Sequence, residues 1–230
     1  LTTIDIPDSV AAIADDAFIG CKALQSFTLS PNHPYFFLAD GALCRTADST
    51  LLLYPNAREP RTYRIPDGIT AISAYAFYDC DLLESVVVPD SITQIPERAF
   101  YGCSALASVS LPDSLTEIGT AAFSGCSALT GIRIPAAITE IINHTFSGCT
   151  SLATLEIPDS VTKIGDYAFL GCTLLTSIAI PDSVTAIGNG AFSNCTALTL
   201  TVTPDSYAAE YAQANNIPYT YPDANDWLYN

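Results

Sequence analysis

Basic residues are scarce in this 230-residue sequence, and methionine is absent. Lysine and arginine together number 8 against 24 aspartates and glutamates, which gives a net charge of −16. Nucleic acids and anionic membrane surfaces are both bound through basic faces, so the composition argues against both as partners. No stretch of about 18 apolar residues occurs, and no transmembrane segment is therefore predicted.

Motifs for catalysis and metal binding are also missing. The sequence contains no G-x-S-x-G elbow, P-loop, H-E-x-x-H or G-x-G-x-x-G. The cysteines do not form the close pairs of a zinc site. A recurring turn aspartate is interrupted by Ala136, and no loop offers the oxygens that calcium requires. Of the two histidines, His144 is expected at the surface. We predict no catalytic residue, no metal site and no cofactor.

What the sequence does have is a repeat of fixed length. Proline, phenylalanine and cysteine each recur every 23 residues: proline at 66, 89, 112, 135, 158 and 181, phenylalanine at 77, 100, 123, 146, 169 and 192, and cysteine at 80, 103, 126, 149, 172 and 195. A period in the twenties is typical of a solenoid, in which each repeat is one coil stacked on the next.

The coil at 158–180 shows the expected local structure. Apolar residues alternate at its end, which predicts a short strand with Ile178 and Ile180 inward and Ser177 and Ala179 outward. Pro-Asp-Ser supplies a turn, and a second extended segment follows. Ala168 and Phe169 are expected in about one helical turn.

The residue before each repeat cysteine is always glycine, aspartate or asparagine. These residue types tolerate a left-handed backbone, so we predict positive φ at Gly20, Asp79, Gly102, Gly125, Gly148, Gly171 and Asn194. The column that contains Pro96 and Ile142 has no such requirement.

Two regions depart from the repeat. Pro7 and Pro66 are 59 residues apart, so the second coil, at 30–65, is enlarged by 13 residues. Its segments 36–44 and 51–54 predict one β-hairpin around a polar turn. The solenoid is predicted to cover residues 1–203. A cap at 204–222 is predicted to follow, with a short helix at 206–215 and an extended piece at 217–221. Residues 223–230 are predicted to form a tail. Because Leu1 to Ile6 begins in mid-repeat, we expect upstream coils or a leader.

The cysteines and arginines each allow two interpretations. The repeat cysteines are either reduced thiols that fill the core or partners in disulfides between adjacent coils, whose spacing of about 4.8 Å permits pairing. Half of the basic residues lie in or beside the enlarged coil and either neutralise nearby acids or accept an acidic ligand: Arg45, Arg58, Arg61 and Arg64.

Candidate binding residues fall into two groups. The outward strand positions are mostly small, and Arg133 and Glu156, one coil apart, are expected to pair. The second group is aromatic and comprises Tyr75, Tyr78 and Tyr101, with Tyr35, Phe36 and Phe37 of the enlarged coil as possible extensions. Tyr78 and Tyr101 both lie two residues before a repeat cysteine and should stack. These aromatics either pack the enlarged coil or form a binding patch.

The repeat I-P-D-S-V-T-x-I-G-x-x-A-F-x-G-C-x-x-L-x-x-I-x-I closely resembles the BspA-type leucine-rich repeat. The resemblance runs from Ile6 to Val202, and S-Y-A-A-E-Y-A-Q-A-N-N-I-P-Y-T-Y resembles that family's C-terminal cap. It implies a right-handed leucine-rich-repeat solenoid with a parallel β-sheet on one side and short helical or 3-10 turns. Ser160 stands at the usual asparagine position, so no buried asparagine ladder is expected.

The resemblance also implies a secreted or surface-anchored protein of host-associated bacteria, and it carries no catalytic or binding residues across. Two hypotheses follow. The first is a monomeric, non-catalytic adhesion module that binds a protein ligand such as a host matrix protein or another cell surface. The second is a structural spacer of a larger surface protein, with no ligand of its own.

Overall fold

Residues 1–222 are described by the computed structural model, which shows a parallel β-solenoid of about nine turns with very little helix. The leucine-rich-repeat fold class predicted from the sequence is confirmed. The predicted tail at 223–230 lies outside the described residues.

The described chain contains 19 short strands and one helix. In chain order they are β1 Thr3–Asp5, β2 Ser26–Thr28, β3 Phe36–Ala39, β4 Ala42–Arg45, β5 Thr50–Leu53, β6 Thr62–Arg64, β7 Ala71–Ile72, β8 Ser85–Val87, β9 Gln94–Ile95, β10 Ser108–Ser110, β11 Glu117–Ile118, β12 Gly131–Arg133, β13 Glu140–Ile141, β14 Thr154–Glu156, β15 Lys163–Ile164, β16 Ser177–Ala179, β17 Ala186–Ile187, β18 Thr199–Thr201, α1 Tyr207–Ala214 and β19 Tyr219–Thr220.

Each regular coil contributes one three-residue strand and one two-residue strand. The three-residue strands pair in parallel with a 23-residue step, as in β8 with β10, where Ser85 faces Ser108. The step shortens to 22 between β16 and β18, where Ser177 faces Thr199. Ile178 is buried while Ser177 and Ala179 are exposed, which confirms the predicted alternation. The two-residue strands form a second parallel ladder on the return side of the coil.

The predicted helical turn around each phenylalanine is wrong. The turn segment is the stretch around each phenylalanine, such as 98–103. Along it, successive backbone amides donate in turn to a carbonyl of the next coil and to a carbonyl of the same segment. The amide of Phe100 donates to the Ala122 carbonyl of the next coil at 2.9 Å, whereas the amide of Tyr101 donates locally to the Arg98 carbonyl at 3.2 Å. A helix would require every amide to donate within its own segment. Here every second amide donates to the neighbouring coil instead, so the segment is a series of tight turns.

Positive φ occurs at two positions of each regular turn segment from Tyr75 onward, and at Gly20 alone in the first coil. The residue before each repeat cysteine has φ between 55° and 81°, as predicted from its residue type. A second column lies four residues earlier and has φ between 52° and 62°, at Tyr75, Arg98, Ala121, His144, Tyr167 and Gly190. Five of these six residues are not glycine, so residue type gave no signal. Their left-handed backbone comes from the register of the bonds between coils.

A stack of phenylalanine rings forms the centre of the core. Adjacent rings from Phe77 to Phe192 have centroids 4.7–5.8 Å apart and lie within 17° of parallel. Tyr54 extends the stack at one end, 5.5 Å from Phe77, and Tyr211 of α1 closes it at the other, 6.3 Å from Phe192. All six of these phenylalanines are buried.

The repeat cysteines form a second column beside the rings, and all eight cysteines of the chain are free thiols. Each sulfur from Cys103 to Cys195 donates to the phenylalanine carbonyl of the preceding coil. For example, Cys126 Sγ lies 3.1 Å from the Phe100 oxygen, and Cys149 Sγ lies 3.2 Å from the Phe123 oxygen. The thiols therefore act as small hydrogen-bonding fillers of the core, in agreement with the reduced-thiol interpretation.

The enlarged coil contains a three-stranded meander where the sequence predicted one hairpin. β3 and β4 are antiparallel and joined at Asp40-Gly41, where φ is 44° and 80°. β4 then pairs with β5, which returns to the solenoid and pairs in parallel with β7. Asp-Gly is a strong two-residue hairpin signal, and its two positive φ angles suit the twist of the flanking strands. This turn divides the segment that had been predicted as one strand.

Asn56 joins the enlarged coil to the regular ones. It stands 23 residues before Asp79 and is buried. In regular coils the backbone amide at this position donates to the next coil, as from Gly102 to the Ser124 oxygen at 2.8 Å. At Asn56 the side-chain Nδ2 donates instead, to the carbonyls of Tyr78 at 2.8 Å and Asp79 at 3.0 Å. A side-chain amide thus replaces a backbone amide at the end of the ladder.

Replacing Asn56 with leucine should lower the free energy of unfolding by about 2 kcal/mol. Leucine has a similar size but cannot donate, so the Tyr78 carbonyl loses its partner in a buried site and the Asp79 carbonyl keeps only the Asp81 amide. Urea denaturation followed by circular dichroism measures the loss. Asn32→Leu, at an exposed position, is the matched control and should change stability by less than about 0.5 kcal/mol. Equal midpoints for the two variants would contradict this role for Asn56.

The C-terminal end of the core is covered by α1 and β19. Ser206 is the N-cap of α1, and its hydroxyl accepts a hydrogen bond from the Ala209 amide. The helix buries Ala208, Ala209 and Ala212 against the last coil. β19 then pairs in parallel with β18 and extends the sheet of three-residue strands. The cap follows the architecture predicted from the sequence.

Candidate protein-binding surface

The turn segments of two adjacent coils bring three tyrosines and one arginine together. We call Tyr75, Tyr78, Arg98 and Tyr101 the tyrosine cluster. Tyr78 and Tyr101 stack with centroids 4.9 Å apart and planes 7° from parallel, as their 23-residue spacing predicted. Tyr75 lies 5.7 Å from Tyr78. All four side chains are half-buried.

Arg98 was not predicted as part of this group. It stands 23 residues after Tyr75, so the repeat spacing alone could have placed it there. Its Nη1 donates to the Tyr75 hydroxyl at 3.0 Å, and its guanidinium lies 5.8 Å from the centre of the Tyr75 ring. The hydrogen bond and the cation–π contact both restrict these side chains before any partner binds. The cluster is thus a preorganised surface of the residue types that dominate protein interfaces.

Paired charges surround the cluster. Lys22 Nζ lies 3.2 Å from a carboxylate oxygen of both Asp79 and Asp81, and these hydrogen bonds raise the pKa of the lysine. Arg98 lies 3.3 Å from Glu97. Burial raises the pKa of Tyr78, with smaller contributions from Asp79 and Tyr101, so this tyrosine is neutral at physiological pH. The surface therefore combines uncharged tyrosine rings with charged groups that are already paired.

The enlarged coil does not extend the cluster as the sequence suggested. Phe36 is buried in a separate core group of the first coils, with its ring 5.3 Å from that of His33. Phe37 is half-buried and packs against the main core. The turn at Asp40-Gly41 orients β3 so that Phe36 faces inward. Phe36 therefore lies out of reach of a partner in this fold.

Arg133 and Glu156 lie on the face of the three-residue strands, where β12 and β14 place them opposite each other. The predicted ion pair between them is wrong, because Arg133 Nη1 contacts Asp113 Oδ1 at 2.5 Å. Asp113 is also the main reason that the pKa of Arg133 is raised. Both residues line an open groove of about 940 Å³ that runs along the strand face to Pro222.

Three of the four arginines in or beside the enlarged coil have acidic partners. Arg45 makes two contacts with Asp48, at 2.8 and 2.9 Å, and holds the pKa of that carboxyl down at about 2. Arg61 contacts Glu59 and Glu84, and Arg64 contacts Asp67. This arrangement supports the interpretation that Arg45, Arg61 and Arg64 neutralise neighbouring acids. The side chain of Arg58 instead packs against Gly41 of the β3–β4 turn.

The other reactive side chains have structural partners. His33 is buried; its Nδ1 accepts from the amides of Tyr35 and Phe36, and its Nε2 faces the Pro7 carbonyl at 3.1 Å. Burial raises the pKa of Cys149 to about 12, which removes its nucleophilic character at neutral pH. Within residues 1–222, no three His, Cys, Asp or Glu side chains are grouped to hold a metal ion, and no helix is long and apolar enough to cross a membrane.

Comparison with known proteins gives the family. Six copies of the BspA type leucine rich repeat region match residues 1–37 and 64–205, and the unmatched stretch between them is largely the enlarged coil. The chain belongs to the BspA-type leucine-rich repeat family. The repeat architecture that characterises this family is the one that the structure shows. Comparison with curated proteins gives no match.

Solved structures of bacterial leucine-rich repeat proteins share the fold. A leucine-rich cell surface protein from Faecalibacterium prausnitzii is 37% identical, with a TM-score of 0.61, and the match covers 95% of this chain and 51% of that one. A leucine-rich repeat protein from Eubacterium ventriosum is 25% identical, with a TM-score of 0.70 and coverage of 84% and 58%. The pneumococcal vaccine antigen PcpA, at 19% identity and a TM-score of 0.76, covers 97% of this chain and 56% of its own. The chain thus spans little more than half the length of these structures.

Proposed function

We propose that this BspA-type chain is a non-catalytic protein-binding module of a secreted or cell-surface bacterial protein, and that it contacts its partner through the tyrosine cluster. The observation that carries the proposal is the assembly of Tyr75, Tyr78, Tyr101 and Arg98 into one half-buried, preorganised surface. The location is supported by the similar Faecalibacterium protein, which is described as a cell surface protein.

Stability of the repeat does not explain the cluster. The position of Tyr78 and Tyr101 is occupied by Ser124 and Ser147 in the next two coils, and these coils stack in the same register. Tyrosine is therefore not required there to form the turn segment or the core. A pair of surface aromatic residues that is not needed for folding is typical of a binding site. A structural spacer needs only the buried stack of phenylalanine rings.

The double variant Tyr78→Ser, Tyr101→Ser tests this function. It inserts the residue that neighbouring coils carry at this position, so the loss of stability should be limited to the ring stack, about 1 kcal/mol. We expect saturable capture of the wild-type chain by at least one purified host matrix protein or bacterial surface protein at physiological salt. Affinity in the double variant should fall at least 100-fold, as expected when two interface hot spots of about 2 kcal/mol each are removed.

A matched control separates the site from general effects of removing tyrosine. Tyr35 and Tyr207 are each 44% exposed and lie outside the cluster. Tyr35→Ala, Tyr207→Ala should therefore bind like the wild type. Capture that survives in the cluster variant would move the site elsewhere, with the groove beside Arg133 and Glu156 as the next surface to test. No capture by any surface protein would favour the structural spacer.

A further inference from the structure

The last regular coil of the solenoid is followed by α1 instead of another coil, and this changes the surroundings of one backbone amide. In earlier coils the amide at the first positive-φ position donates to a carbonyl of the next coil, as from Tyr167 to the Asn189 oxygen at 3.0 Å. Gly190 occupies this position in the last coil, and its amide has no hydrogen-bond acceptor within residues 1–222. A backbone nitrogen with an available N–H therefore follows Asn189 directly.

The side chain of Asn189 also stands at the end of a ladder. Asn143, Asp166 and Asn189 occupy one column, 23 residues apart. The Asn143 Oδ1 accepts from the Asp166 amide at 2.9 Å, and the Asp166 Oδ1 accepts from the Asn189 amide at 2.7 Å. The side-chain amide of Asn189 itself makes no hydrogen bond within the described residues, and Asn189 is exposed. Because this side chain is not held, its Cγ can approach the nitrogen of Gly190.

An asparagine followed by glycine can react with its own backbone. The Gly190 nitrogen attacks the Asn189 Cγ and closes a five-membered succinimide ring, and the side-chain nitrogen leaves as ammonia with the proton of the attacking N–H. Water then opens the ring at either carbonyl, which leaves aspartate or isoaspartate at position 189. One water is consumed and one ammonia released, so no oxidant or other co-reactant is needed. Glycine has no side chain to hinder the attack.

The other asparagines of the described chain lack such a nitrogen. The amide that follows each of them donates to a backbone carbonyl, at 2.8–3.3 Å. These six asparagines are Asn32, Asn56, Asn143, Asn194, Asn215 and Asn216. Their attacking nitrogen must first give up a hydrogen bond. Within residues 1–222, Asn189 is thus the one asparagine whose following amide has no backbone acceptor.

We propose that Asn189-Gly190 is a self-modification site, at which the folded chain converts Asn189 into aspartate and isoaspartate. The product carries an additional negative charge one coil after Asp166. In isoaspartate the main chain runs through the former side-chain carbon, so the backbone is one atom longer where residue 189 bonds to the preceding coil. The last coil should loosen there. The site lies four coils after Arg98, so this proposal is independent of the tyrosine cluster.

Incubation of the purified chain at physiological pH and temperature, followed by peptide mass spectrometry, tests the site. The peptide that contains residue 189 should gain the mass difference between an amide and a carboxylic acid, and an isoaspartate methyltransferase should label it. The other six asparagines should react at least tenfold more slowly, because their nitrogens must be released first.

The chain unfolded in guanidinium chloride gives the rate for an unrestrained Asn-Gly pair. We expect residue 189 of the folded chain to react within about tenfold of that rate, since no ladder bond holds the nitrogen. A larger difference would overturn the proposal, as would earlier reaction of any other asparagine in residues 1–222.

Moving the pair into an interior coil separates the effect of the structure from that of the sequence. Thr120→Asn, Ala121→Gly places the same pair where the second amide donates to the Asn143 carbonyl at 3.0 Å. Residue 121 already has φ of 54°, which glycine adopts readily, and circular dichroism verifies that the variant is folded. We expect the pair at 120–121 to react at least tenfold more slowly than Asn189 of the same molecule. Equal rates at the two sites would show that the end of the ladder has no influence, against the proposal.

Hydrogen exchange measures the effect on the last coil. Anion exchange separates the modified chain, which has one more negative charge. The amide of Tyr167 donates to residue 189 and should exchange at least tenfold faster in this fraction, whereas that of Phe100 should be unaltered. Asn189→Asp is the matched control, because it adds the charge without the extra backbone atom and should protect Tyr167 as the wild type does. Equal exchange of Tyr167 in the modified chain and in Asn189→Asp would contradict the loosening of the coil.

Discussion

Phe123→Ala should lower the free energy of unfolding by about 3–5 kcal/mol. Phe123 lies in the middle of the ring stack, fully buried, with Phe100 at 5.3 Å on one side and Phe146 at 5.8 Å on the other. Truncation removes the buried ring and leaves a cavity bounded by two rings that the stacked backbones hold in place. Because the coils are joined by hydrogen bonds on both sides of the core, the cavity cannot collapse easily.

Urea denaturation of the wild type and of Phe123→Ala, followed by circular dichroism, measures this loss of stability. Phe18→Ala is the matched control, since Phe18 occupies the phenylalanine position of the first coil but is only half-buried and contacts Phe27 edge-on at 5.5 Å. We expect its loss to be about 1–2 kcal/mol. A loss below about 1 kcal/mol in Phe123→Ala would mean that the rings contribute little to stability. A double variant with Phe146→Ala should show a coupling of about 1 kcal/mol between the neighbouring rings.

The solenoid should lose at least about 3 kcal/mol of stability for each pH unit above about pH 9, the share that comes from Cys44 and Cys149. Burial raises the pKa of Cys44 and of Cys149 to about 12 in the folded chain. In the unfolded chain thiols titrate near 8.5. Between these values the folded chain keeps two protons that the unfolded chain has released, so the unfolded state gains on the folded one as pH rises. Each thiol contributes about 1.4 kcal/mol per pH unit.

Two other buried thiols, Cys80 and Cys126, act in the same direction. Burial is also the main cause of the raised pKa of Cys80 and of Cys126, so their stabilising contribution is likewise complete below pH 8 and is lost in alkali. The expected result is unfolding of the chain in mild alkali, at a pH where its carboxylates no longer titrate.

Urea midpoints at pH 8, 9 and 10 in the presence of a phosphine reductant measure this slope. Cys149→Ala has one thiol fewer that stays protonated in the folded chain and ionises in the unfolded one. The loss of stability per pH unit should therefore be smaller by about 1.4 kcal/mol, even though the variant is less stable at pH 8. An unchanged slope in Cys149→Ala would exclude this thiol as a source of the alkaline destabilisation.

The parts of the fold that could be predicted from the sequence are those in which residue type limits conformation. Only glycine, aspartate or asparagine precedes each repeat cysteine, and positive φ follows directly. The second column of positive φ escaped prediction because Arg98, Ala121 and Tyr167 share no conformational preference. Their backbone is set by bonds to the next coil, and such bonds exist only after the coils have stacked.

The candidate binding surface also has features that the sequence predicted and features that it did not. The stack of Tyr78 on Tyr101 follows from a spacing of one repeat and was predicted. Phe36 was misplaced because its direction depends on the turn at Asp40-Gly41, which sets which face of β3 enters the core. Asn56 was missed because the enlarged coil hides its register, although counting back 23 residues from Asp79 would have reached it.

The alternation of amides in the turn segments has a mechanical consequence. Because both the strands and the turns bond to the neighbouring coil, a pull along the axis is resisted on both sides of the core, and the array opens from an end, one coil at a time. Each regular coil that detaches converts about 5 Å of stacked height into nearly 80 Å of extended chain. The enlarged coil of 36 residues would release about 120 Å. A pull on the two ends of the protein would thus lengthen it in discrete steps, each set by the number of residues in one coil.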